Sequence, residues 1–181
     1  MSELLDRLST EHHRLGRLLD LLSGLLDQFH AGDEPDYELM CELVEYLTDY
    51  ADQVHHPSED MLFERVIAVS GQGEDLLRRL MHEHAALSRF NHRFKESLEG
   101  IVHEEVMRRD EVEQQGRELV GLMRGHLRCE DLEAFPLARA ALSDAELAEL
   151  AAAAPTADDP VFGRADPARF RALYLKLRDQ V

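Results

Sequence analysis

The chain has 181 residues, a formal net charge of −17, two cysteines and no tryptophan. Its length suits one domain with a sizeable core, and a composition led by Leu, Ala, Glu, Asp and Arg favours helices over sheet. The charge excludes a phosphate-neutralising nucleic-acid face and attraction to anionic lipid, and no apolar run approaches the roughly 20 residues that span a bilayer.

In chain order, the first predicted helix carries an apolar stripe through Leu8, His12, Leu15, Leu19, Leu22 and Leu26. His12 takes a place in it where leucine would be expected. Ala31-Gly32-Asp33-Glu34-Pro35 reads as a turn. A second stripe runs through Met40, Leu43, Leu47, Ala51, His55, Glu59, Leu62 and Val66, with Pro57 expected to kink it near residues 53 to 57. Ser70-Gly71-Gln72-Gly73 ends that helix. The third stripe is Leu77, Leu80, His84, Leu87, Phe94 and Leu98, and the fourth is Leu119, Met123, His126, Glu130 and Leu137. Beyond Pro136, Ser143 with Glu146 forms a capping box, and Asp166-Pro167 reads as a cap with proline at the first helical position. The expected fold is all-α: an up-down-up-down antiparallel four-helix bundle over residues 1–140. A short helical extension, residues 141–181, would pack on the bundle or on a partner subunit.

Two copies of one donor pattern interrupt these stripes. Glu11-His12 followed by His55, Glu59 and Asp60 is repeated as Glu83-His84 followed by His126, Glu130 and Asp131. The midpoints between successive copies fall in the predicted turns, so an antiparallel bundle brings His12, His55, Glu59, His84, His126 and Glu130 to one level. That level lies nearer the bundle end holding the Ser70 turn and the N-terminus. Histidine and glutamate four residues apart share a helix face, and a carboxylate buried among leucines makes sense mainly beside a cation. Four imidazoles and two carboxylates suffice for two divalent ions. Without thiolate they favour iron or manganese and allow zinc. One turn away, Leu8, Leu15, Leu62, Leu80, Leu87 and Met123 would admit a small neutral molecule and keep bulk water out.

The remaining candidates have plainer readings. His13, His56 and His82 adjoin the donors but point off the core face; His30, His92 and His103 lie far from that level and are expected to be solvated. Asp60 and Asp131 either orient a ligand histidine or stand as exposed helix charges. Cys129, Tyr46 and Tyr50 are read first as packing residues. Met1-Ser2-Glu3 opens no secretory signal, so the cytoplasm is the expected location.

The pattern H…HxxxE…H…HxxxE, with Glu-His opening two of the helices, resembles the hemerythrin-like HHE cation-binding proteins, in their bacterial four-histidine, two-glutamate form. Local wording supports the likeness: His55-His56-Pro57, Glu59-Asp60-Met61-Leu62-Phe63, and Glu130 followed by Phe135-Pro136. The resemblance implies a non-haem centre of two iron ions, with an oxo or hydroxo bridge and with Glu59 and Glu130 bridging. It further implies His12 and His126 on one iron and His55 and His84 on the other. The chain departs from the oxygen carriers of animals, whose fifth histidine would fall at Leu80 or Ser88. Implied partners are O2, NO or peroxide, with an unspecified electron donor and room for a homodimer; neither nucleic acid nor membrane is expected. Three functions follow from it: a di-iron protein that binds O2 or NO for sensing, storage or delivery; a redox enzyme that reduces peroxide or NO, or repairs iron-sulfur centres; and a metal-responsive interaction module.

Overall fold

The predicted stripes become faces of long helices in the computed structural model, which describes residues 3–104, 106–164, 166 and 168–178. Helix α1 spans Glu3–Ala31, α2 Tyr37–Tyr50, α3 His56–Ser70, α4 Glu74–Val102, α5 Arg109–Cys129, α6 Phe135–Ala141, α7 Asp144–Ala153 and α8 Arg171–Arg178. No strand occurs among the described residues. The α1, α2–α3, α4 and α5–α6 stretches pack on one another. No helix among the described residues is long and apolar enough to cross a membrane.

Local chemistry sets where these helices start and stop. The Asp36 side chain accepts the Leu39 N–H at 2.9 Å and opens α2. Gly71, with φ +63°, closes α3 in the left-handed region. At the other end of the molecule, the Arg109 guanidinium donates to the Phe29 carbonyl at 2.9 Å and to the Asp33 carbonyl at 2.6 Å, tying the start of α5 to the end of α1.

The second stretch passes toward Pro57 through a π-helical turn, Ala51–His55, whose following N–H (His56) reaches the Ala51 carbonyl five residues back. A second π turn, Glu130–Ala134, joins α5 to α6 in the same way, with the Phe135 N–H on the Glu130 carbonyl. Each wide turn ends two residues before a proline, Pro57 or Pro136. Proline lacks an N–H and crowds the carbonyl four residues back; widening the preceding turn relieves that clash without breaking the helix.

Residues after Pro136 lie against the long helices. In α7, opened by the predicted Ser143–Glu146 capping box, Leu147 and Leu150 bury with Leu4, Leu5 and Leu8. Glu42 of α2, itself buried, accepts the Ala172 and Leu173 N–H groups at the start of α8, at 3.1 and 2.8 Å. That helix begins at Arg171, later than predicted. The Asp166 side chain still accepts from the Ala168 and Arg169 N–H groups, while Pro167 lies outside the described residues.

A polar layer divides the apolar core. On one side a larger cluster runs from Leu15 through Leu47, Phe94 and Leu119; on the other a smaller cluster gathers Leu8, Leu62, Phe63, Val66, Leu77, Leu80 and Ala134. Between them lie His12, His55, Glu59, His84, His126 and Glu130, all buried.

Candidate metal centre

Both carboxylates of that layer are fully buried, and the Nε2 atoms of all four histidines converge on them. Glu59 lies 3.0 Å from His12 Nε2, 3.4 Å from His55 Nε2 and 3.5 Å from His84 Nε2. Glu130 lies 3.1 Å from His126 Nε2, 3.3 Å from His84 Nε2 and 3.5 Å from His12 Nε2. Each carboxylate thus touches imidazoles from three helical stretches. The ring neighbours, however, are His12 with His55, centroids 5.0 Å apart, and His84 with His126, 4.8 Å apart. These neighbours differ from the expected pairs, His12 with His126 and His55 with His84.

The ring arrangement has a physical source in the opposite edges of the rings. Every Nδ1 faces a carboxylate from a neighbouring stretch. His55 Nδ1 lies 2.7 Å from Glu11, His84 Nδ1 2.8 Å from Asp60, His126 Nδ1 2.9 Å from Glu83, and His12 Nδ1 2.9 Å from Asp131. The order closes on itself: α1 holds the histidine before α3, α3 holds that of α4, α4 holds that of α5, and the second π turn holds that of α1. An Nδ1–H donated outward fixes the tautomer, leaving the Nε2 lone pair aimed inward at the layer. Asp60 and Asp131 therefore orient histidines. Glu11 and Glu83 do so as well, a role not read from the sequence although the repeated Glu-His doublet was its signal.

Electrostatics show what the layer demands. Burial pushes the His12 imidazole down, but hydrogen bonds to Asp131 and Glu59 and the charge of both glutamates outweigh it, holding the pKa up at about 10. For His84, burial is likewise outweighed by Asp60, Glu130 and Glu59, again giving about 10. His126 is raised against burial by Glu130 and Glu83. Burial pushes Glu130 up, yet His126 and His84 hold it well below the usual carboxylate range. Two buried negative charges thus draw positive charge onto the surrounding nitrogens, as protons or as metal ions.

The donor set fits metal ions better than protons. His55 Nε2, His126 Nε2, Glu59 Oε2 and Glu130 Oε2 are buried without an aligned hydrogen-bond partner, although buried polar atoms are nearly always satisfied. Donor atoms of Glu59, His84, His126 and Glu130 lie within 4.8 Å of one another, and so do those of His12, His55 and Glu59. These two groups share Glu59, as a bridged pair of cations would require. Leu8, Leu15, Leu62, Leu80, Leu87 and Met123 are all buried around them, and the Phe135 ring stacks on His12 at 5.0 Å.

His13 and His82 are exposed and bond to backbone carbonyls of their own helices. His30, His92 and His103 are exposed too. His56 departs from expectation: it is buried, with its ring centroid 4.3 Å from that of His84. Tyr46 and Tyr50 stack at 5.4 Å in the core, and the Tyr50 hydroxyl donates to Glu11 at 3.0 Å. Cys129 is partly buried, 3.6 Å from the Arg79 guanidinium.

A family model described as the hemerythrin HHE cation binding domain matches residues 3–138. No curated protein and no solved structure matches the chain.

Proposed function

This chain belongs to the hemerythrin HHE cation-binding domain family, and from that premise we propose that His12, His55, Glu59, His84, His126 and Glu130 hold two iron ions. Glu59 and Glu130 would be shared between them, within an up-down-up-down bundle formed by residues 1–140. The centre binds O2 or NO reversibly, for sensing, storage or delivery in the cytoplasm. One observation carries this reading: two buried carboxylates, each shared among imidazoles from three helical stretches whose Nδ1 edges are already committed to acids. Imidazole and carboxylate without thiolate suit iron or manganese ahead of softer metals, and zinc is tolerated.

Bound there, iron would supply Lewis acidity and one-electron redox chemistry. The protein's part is to fix the rings, share the carboxylates and exclude water. Leu8, Leu15 and Phe135, buried with His12, would favour a small uncharged molecule over bulk water. Metal analysis of purified protein, followed by visible spectra under O2 and NO, tests the proposal. About two irons per chain and a reversible spectral change are expected. An iron-loaded protein with no change under either gas overturns the gas-binding reading.

A second reading, reduction of peroxide or NO, is favoured by the line from Tyr50 through Glu11 to His55. Tyr50 borders a surface pocket with Gln53, Asp158 and Arg169, so this line joins the layer to solvent and would carry a proton. Sustained consumption of peroxide or NO with a reductant supports it, whereas stoichiometric uptake alone returns the assignment to a binding protein.

A further inference from the structure

The buried face of α4 steps through Leu77, Leu80, His84, Leu87, Asn91, Phe94 and Leu98. Two of these side chains are polar. His84 is claimed by the layer; Asn91, about two turns further along the same face and about 10 Å away, is not. Asn91 is 0% exposed, and its Nδ2 and Oδ1 both lack a hydrogen-bond partner. Among the described residues it is the one side chain with two such atoms. On either side along its face, Leu87 and Phe94 belong to the larger apolar cluster.

Nearby polar groups of α4 are already satisfied. The Ser88 hydroxyl donates to Asp52 at 2.6 Å, the Ser97 hydroxyl donates to Gln115 at 2.7 Å, and His92 reaches the Ser88 carbonyl on its own helix. An amide offers two N–H donors and two acceptor lone pairs, and folded interiors rarely leave such groups unmet. Leucine would fill this slot at no polar cost, so an asparagine there makes sense beside something that hydrogen-bonds. We propose that Asn91 holds an internal water molecule within the larger cluster, donating to it through Nδ2 and accepting from it through Oδ1. A pocket of about 140 Å³, lined by Ala86, Leu87, Phe90 and Leu122 among others, lies along the same stretch of α4 and brings solvent close to this position. The larger core thereby keeps one wet position on the face that carries His84. The site is independent of whatever the layer binds.

Crystal structures of the full wild-type chain and of Asn91→Leu, at a resolution that orders water, supply the test. The wild type should show a water within about 3 Å of both amide atoms, and Asn91→Leu should lose that water while the helices keep their places. A wild-type amide that is dry, or turned onto a protein group, overturns the site. So does a water that stays in Asn91→Leu, or density for a molecule larger than water. Should Asn91→Leu fail to fold by far-ultraviolet circular dichroism, the wild type decides alone, by the presence or absence of water on the amide.

Discussion

The two halves of the layer come from one repeated pattern, yet they are not built alike. Asp60 and Asp131 are matched: their side chains are 41% and 42% exposed, and each holds one Nδ1. Glu11 and Glu83 are not. The Glu11 side chain is 4% exposed and also receives Tyr50, with Arg7 at 3.7 Å. Glu83 is 41% exposed and has Arg79 at 3.7 Å. Burial pushes Glu11 up, but His55, Tyr50 and Arg7 outweigh it and hold its carboxyl below the ordinary range. The lesson is that one sequence motif sets which groups meet, while the depth at which they meet sets how strongly they hold.

The largest expected effect erases the comparison. Glu130→Gln removes a charge that three imidazoles share, so both halves should fail and metal content should drop to near zero by elemental analysis. Next comes the test of inequality itself. Glu11→Ala should weaken metal binding about 10- to 100-fold and cost about 2–3 kcal/mol by denaturant unfolding, because it strands a buried Tyr50 hydroxyl and the His55 Nδ1–H. Glu83→Ala, where water can reach the place that the part-exposed carboxylate leaves beside His126, should cost under about 1 kcal/mol. Equal losses from the two variants would refute the contrast. Tyr50→Phe removes about 1 kcal/mol from the first half alone; the corresponding place in the second half is Gly121, which has no hydroxyl to lose.

The smallest effect is a change of slope with pH. His12 and His84 have folded-state pKa values raised to about 10 from an ordinary 6.5. In chelator, the stability they contribute is fully present below pH 6.5 and lost as pH rises through about 10. Metal uptake requires neutral imidazoles and releases protons, so iron-loaded protein should gain stability over the same range. Melting temperatures measured against pH with chelator and with iron should therefore diverge. Parallel curves would show that protons and metal do not compete at these nitrogens.

Much of this was legible in the residues. The helical period put His12, His55, Glu59, His84, His126 and Glu130 on core faces, and the predicted turns put them at one level. What the period could not give was which acid meets which ring. That is decided by how neighbouring helices rotate against each other, and it brings His12 beside His55 and His84 beside His126 where other neighbours were expected. His56 was missed because a regular helix places it about 100° from His55, off the core face, where α4 closes over it beyond the reach of any single-helix reading. Pro57 marked a disturbed turn near residues 53 to 57, but that the turn widens to a π form is settled by backbone hydrogen bonds that side-chain spacing does not encode. Glu11 and Glu83 were visible only as a doublet, their purpose lying across the groove.

The carboxylate–imidazole circuit has a consequence for how the molecule comes apart. Because every stretch both gives an acid and receives one, undocking any one of them severs two links at once, leaving one ring unheld and one acid without its ring. Slippage of a helix by a single turn, roughly 5.4 Å, does the same on both its flanks. The layer thus acts as a hoop that fixes register among all four members together, so whatever metal the loaded protein holds should leave to a chelator in one kinetic phase rather than two.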